Sequence, residues 1–223
     1  MGTENWYRNK TWNAEIEETF EAKLKRSRGT YNKAQYLRIQ ASYLLSSEDA
    51  NIQDVGVALM QRMINEYPTE EASTTFGHEQ LGDYYYKKSD YKNAFHFYDF
   101  VNECYKKDRK YRNSTSWIAD LKLVEIILSA NLQDRFDEAY KICKNYQMSD
   151  LTMNSDIYYY FELSALICNV TDRKEEAKKY AKEALEMSKV TEPQFRYHKK
   201  VGLVNPSALL IKYIFVSLQK KTI

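Results

Sequence analysis

The sequence predicts an all-α protein, and three observations carry that prediction. Apolar residues recur at three- and four-residue spacing in one stretch after another, the signature of amphipathic helices. The 223 residues include 6 Gly and 3 Pro, too few turn-formers for a many-stranded β-protein. Between Thr75 and Lys107 the spacing of Leu81, Gly82 and Tyr85, then Tyr91, Ala94 and Tyr98, describes two helices joined by the turn Lys88-Ser89-Asp90. Gly82 and Ala94 are the small residues that let such helices approach. Leu81, Tyr85 and Tyr98 would fill the space around the contact.

The other elements follow in order. Trp6 to Trp12 precedes a helix from about Asn13 to Arg28, striped by Ile16, Phe20 and Leu24. Glu15, Glu17, Glu18 and Glu21 crowd its first half and Lys23, Lys25, Arg26 and Arg28 its second, an order that suits the helix dipole and gives i,i+4 pairs. Gly29 is the expected stop. Asn32 to Ser46 reads as a helix with Ala34, Leu37, Ala41 and Leu44 on one side. Ile52 to Tyr67 follows with Leu59, Met60, Met63 and Ile64, and Pro68 stops it. Ser116 to Asn131 is nearly all apolar, a helix buried on more than one side. Asp134 is placed to cap its partner, which carries Phe136, Ala139 and Cys143. Ser155–Val170 and Asp172–Ser188 form another pair with Ala165 and Ala177 as small contacts. Pro193 and the basic run Arg196 to Lys200, a solvated connector with a contact patch as the alternative, lead to a last helix, opened by Asn205-Pro206 and running to about Lys220.

The Thr75–Lys107 pattern resembles one tetratricopeptide repeat, whose period is about 34 residues. It matches at the family's Leu, Gly, Tyr, second Tyr and Ala sites, with His78 at the Trp site and Lys107 near the closing Pro site. The small second-helix residues Gly56, Ala94, Ala139 and Ala177 are separated by 38, 45 and 38 residues, so each repeat carries an insertion. The resemblance implies antiparallel helix pairs stacked as a short right-handed solenoid of about ten helices. One domain, 1–223, would comprise a capping segment at 1–30, about four degenerate repeats at 31–190 and a capping helix within 191–223. The tryptophans would cover the first end, with a partner anchor as the alternative.

Composition removes several function classes. The formal charge is +2 from 33 basic and 31 acidic residues, so no global field points to nucleic acid. No apolar run approaches the roughly 18 residues of a membrane span, and the first 25 residues lack an apolar signal-peptide core. Cys104, Cys143 and Cys168 form no CxxC pair and read as reduced core thiols of a cytoplasmic protein. The histidines His78, His96 and His198 are dispersed; no helical zinc motif, phosphate loop or GxSxG occurs. No metal, cofactor or catalytic pair is therefore expected. The 20 tyrosines fit either an aromatic-lined groove or coding bias.

What remains is binding. The resemblance places a concave face on each pair's first helix: Phe76, Glu79, Asp83, Tyr86 and Lys87; Leu121, Val124, Leu128, Asn131 and Leu132; Tyr159, Glu162, Leu166, Asn169 and Val170. Phe76, Glu79, Asp83, Tyr86, Tyr159 and Glu162 are the partner-binding candidates, Leu121, Val124 and Leu128 being equally explained as core. The family's carboxylate clamp uses Lys and Asn at such places; acids stand here, which suits a basic partner segment with apolar anchors. The opening segment and Gln35 to Ala41 resemble small stand-alone bacterial repeat proteins. The expected function is a non-enzymatic module that occupies a partner protein, an immunity protein blocking a toxin being one form. A chaperone or adaptor, a peptide-sensing regulator and, last, an enzyme are the alternatives.

Overall fold

The computed structural model describes residues 5–190 and 192–204. Among them are nine α-helices and no β-strand, apart from an isolated bridge between Phe195 and His198. The expected helix from Asn205 to Lys220 lies outside the described residues. The helices are α1 (Ala14–Arg26), α2 (Thr30–Leu45), α3 (Ala50–Glu66), α4 (Glu71–Lys87), α5 (Tyr91–Lys107), α6 (Ala119–Ser129), α7 (Phe136–Asn145), α8 (Asn154–Val170) and α9 (Lys174–Met187). The chain divides into two compact units, Met1–Ala119 and Asp120–Ile223.

In the first unit α2 packs on α3 and α4 on α5, the pairings the spacing required. A Cβ added at Gly56 would lie 2.9 Å from the backbone nitrogen of Leu45 and 3.1 Å from the Ala41 carbonyl oxygen, so α3 touches the α2 backbone. A Cβ at Gly82 would meet the Tyr98 ring at 3.0 Å, and Ala94 and Leu81 are wholly buried beside it. Phe20 and Leu24 of α1 join Leu37, Leu44, Met60 and Met63 in the core. The opening segment folds onto the same core: Trp6 lies 5.4 Å from Phe20 and 4.8 Å from Tyr36, and Trp12 lies 5.5 Å from Phe20. Buried Gln40 ties it down, its Oε1 accepting from the Asn9 backbone N–H at 3.0 Å and its Nε2 donating to the Asn9 carbonyl at 2.8 Å.

In the second unit α8 packs on both α7 and α9. Ala139, Ala165 and Ala177 are wholly buried, as small contact residues must be. Glu176 of α9 accepts from Lys144 Nζ at 2.9 Å and from the Tyr140 hydroxyl at 3.1 Å, linking α9 to α7.

Three of the turns between successive helices share one geometry. Ser89, Asn131 and Asp172 have φ of 59°, 50° and 58°, the left-handed region. The next residue's N–H reaches back five residues each time: Asp90 to the Tyr85 carbonyl at 3.0 Å, Leu132 to Ile127 at 2.9 Å, Arg173 to Cys168 at 2.8 Å. Each is a Schellman cap that satisfies the helix's last carbonyls, built here without glycine.

Some boundaries differ from expectation. Gly29 does not stop α1; Ser27 caps it, its N–H reaching Lys23 and Leu24, and Gly29 at φ 78° opens α2 instead. Helix α4 starts a turn before Thr75, because a turn from Tyr67 to Glu70 already sets its direction. Helix α6 starts three residues late, since Trp117 sits at φ 70°, its carbonyl accepting from Arg112 Nη1 at 2.7 Å. Asp134 does not cap α7. It lies within the 3-10 turn Gln133–Arg135, and the N–H of Phe136 is taken by the Gln133 carbonyl.

Two outcomes follow from this packing. Gly56→Ala gains about 1 kcal/mol of helix propensity but drives a methyl into backbone that cannot rotate away, at about 1–3 kcal/mol. The urea midpoint should fall; a rise would mean α2 and α3 separate at little cost. All three cysteines are free and buried, and burial pushes the thiols up, Cys143 to about 12 and Cys168 to about 11. A thiol-specific chromogenic disulfide should therefore label the folded protein slowly and all three cysteines promptly in urea; prompt labelling of the native protein would contradict this packing.

Candidate functional site

Helix α4 carries four of the six candidates, and the structure gives them unlike roles. Glu79, expected to be accessible, is 1% exposed. Its carboxylate accepts the Ser116 backbone N–H at 2.9 Å and the Ser116 hydroxyl, which binds the segment before α6 to α4. Asp83 is half-buried and accepts the Tyr98 hydroxyl. That bond exists because Gly82 lets the Tyr98 ring lie across α4 and end beside the following residue. Tyr86 is half-buried with its ring 5.8 Å from Tyr91. Phe76 is half-buried, and the Arg38 guanidinium covers its ring at 4.6 Å. Glu79 and Asp83 are internal links, so at these two positions α4 does not present the acidic face expected of it.

The second unit holds the cleft. Glu125, Leu128 and Ser129 of α6 face Tyr159, Glu162, Leu163, Leu166 and Val170 of α8 across a cavity of about 250 Å³. The Tyr159 hydroxyl donates to the Glu125 carboxylate at 2.6 Å and bridges the two helices. Glu162 is 7% exposed, more sheltered than expected because it sits among leucines. Val170 at 47% exposure and exposed Ser129 mark the open rim. Five register positions, Leu128, Tyr159, Glu162, Leu166 and Val170, thus share one cavity. Leu121 and Val124 are wholly buried and belong to the core. Glu125 was not foreseen. Its signal was the i,i+3 spacing to Leu128 on a helix otherwise nearly free of acids.

The floor of the cleft is apolar, two carboxylates flank it, and a tyrosine joins a ring face to a polar tip. A volume of about 250 Å³ suits one or two side chains rather than a whole cofactor. Among the described residues, no three His, Cys, Asp or Glu side chains gather as a metal-holding group, and no helix is long and apolar enough to cross a membrane.

His78 of α4 is 7% exposed. Its Nδ1–H donates to the Thr74 carbonyl at 2.8 Å, and its ring stacks on Phe100 at 3.7 Å. Burial holds the imidazole below its ordinary value of 6.5. The folded protein then binds fewer protons than the unfolded chain between the two values. Stability from this site is full above about pH 6.5 and falls as pH drops through the lowered value. Wild type should lose more stability between about pH 7.5 and about pH 5.5 than His78→Phe, which keeps the stack and cannot titrate. Equal losses in urea titrations would remove the buried neutral imidazole. No protein-family model, curated protein or solved structure matches this chain.

Proposed function

We propose that this chain is a non-enzymatic scaffold, a short right-handed tetratricopeptide-like solenoid that acts by occupying a partner protein through the α6–α8 cleft. The observation that carries the reading is the meeting of five register positions, Leu128, Tyr159, Glu162, Leu166 and Val170, around one cavity. The tetratricopeptide resemblance assigns those positions to a binding face. An apolar floor between Glu125 and Glu162 favours a segment that inserts an aliphatic or aromatic side chain and flanks it with Lys or Arg. Tyr159 supplies contact area, and its hydroxyl keeps Glu125 in place.

The test is selection of a displayed random-peptide library on the full chain. Enriched peptides should carry an apolar residue flanked by basic ones. Tyr159→Ala or Val170→Lys should weaken their binding by about tenfold or more, equivalent to about 1.4 kcal/mol. Far-ultraviolet circular dichroism of both variants should match wild type. Peptides that bind both folded variants as tightly as wild type would place recognition elsewhere and end this proposal.

A further inference from the structure

We propose that Arg38 is the centre of a second recognition site, on the first unit, that takes carboxylate side chains from an acidic segment of a protein partner. This site is independent of the α6–α8 cleft and stands or falls without it.

Arg38 is half-buried on α2, its guanidinium carbon 4.6 Å from the centre of the Phe76 ring on α4. Three other sheltered arginines hold acids: Arg62 pairs with Glu21 and Glu66, Arg135 with Glu138, Arg173 with Asp137. Among the described residues Arg38 has no such carboxylate; a ring face is its counterpart. Desolvation without an ion pair lowers its pKa. A guanidinium held flat on an aromatic ring keeps its N–H edge free for a planar acceptor, and a carboxylate fits that fork in bidentate fashion.

The surroundings are built rather than loose. Ser42, one turn along α2, accepts from Gln80 Nε2 at 2.7 Å and donates to the Arg38 carbonyl at 2.8 Å. That relay joins α2 to α4 beside the Arg38–Phe76 stack. Ser42 also lines an open cavity of about 550 Å³ with Lys10, Tyr43, Ser46 and Ser47, so a second cation borders the cavity that Ser42 reaches. Tyr43 is 37% exposed and offers a ring beside it. Two cations and a tyrosine suit an acidic peptide. They are too few for a phosphate backbone, which needs a continuous basic face, and the net charge is only +2.

The probe is an acetylated, amidated hexaglutamate peptide, titrated calorimetrically into the full chain at low salt. A single-stranded oligonucleotide of equal charge is the comparison. Wild type should bind the peptide more tightly than the oligonucleotide. Arg38→Met, which keeps the aliphatic stem on Phe76, should lose at least about tenfold in affinity. Arg38→Lys should lose less, and Arg26→Gln, at the exposed end of α1, should lose nothing. Because Arg38→Met removes a sheltered charge that no carboxylate compensates, its melting temperature should equal or exceed that of wild type. The proposal is overturned by any of four results: no peptide binding, equal weakening by Arg26→Gln, tighter oligonucleotide binding, or a fold that Arg38→Met destabilises.

Discussion

The structure depends on how closely the two helices of each pair can approach. Gly56 brings α3 against the α2 backbone itself, and Gly82 lets a tyrosine ring lie flat across α4. In the second unit Ala139, Ala165 and Ala177, all wholly buried, hold the same place. Large residues then close the space at a distance set by the small ones, as Tyr98, Leu81, Met60 and Met63 do. Interiors packed at this density transmit a misplaced methyl to their neighbours instead of absorbing it. The Tyr98–Asp83 bond is an instance, since it requires the ring to rest on Gly82.

A second constraint is polar. Two irregular segments are held by buried groups with complete partners: residues near Asn9 by Gln40, and the stretch before α6 by Glu79. Neither segment has a repeating backbone ladder of its own, so a side chain supplies the missing donors and acceptors. The cost of such a group lies in removing one partner, which leaves the other buried and unsatisfied. That cost explains why an acid on a predicted binding face can belong to the interior.

Much of the fold was legible in the sequence. Stripes such as Phe20 and Leu24, or Leu59, Met60 and Met63, repeat at helical spacing and are buried as that spacing requires. The small residues at 56, 82, 94, 139 and 177 marked the pair contacts. What the spacing could not show were reaches across elements. Glu79 meets Ser116 over 37 residues and Gln40 meets Asn9 over 31, and hydropathy is blind to which distant donor comes near. The positive φ at Trp117, which delays α6, has no sequence signal, because a bulky aromatic argues against that conformation. Of the cleft's lining, the repeat resemblance names Leu128, Tyr159, Glu162, Leu166 and Val170, while Glu125 and Arg38 acquire meaning through Tyr159 and Phe76 on other helices.

The three Schellman turns bear on how the chain acquires this structure. Ser89 and Asp172 each reverse the chain within a few residues between packed helices, so the partners in those pairs are near neighbours in sequence. Closing a short loop costs little entropy, and a hairpin of two helices can form before any distant segment arrives. Opening should be local too, pair by pair, with hydrogen-exchange protection that differs between pairs. A partner that gripped α8 would hold α9 as well, through the turn at Asp172. Its binding would then register as slowed exchange across the whole pair, beyond the residues it touches.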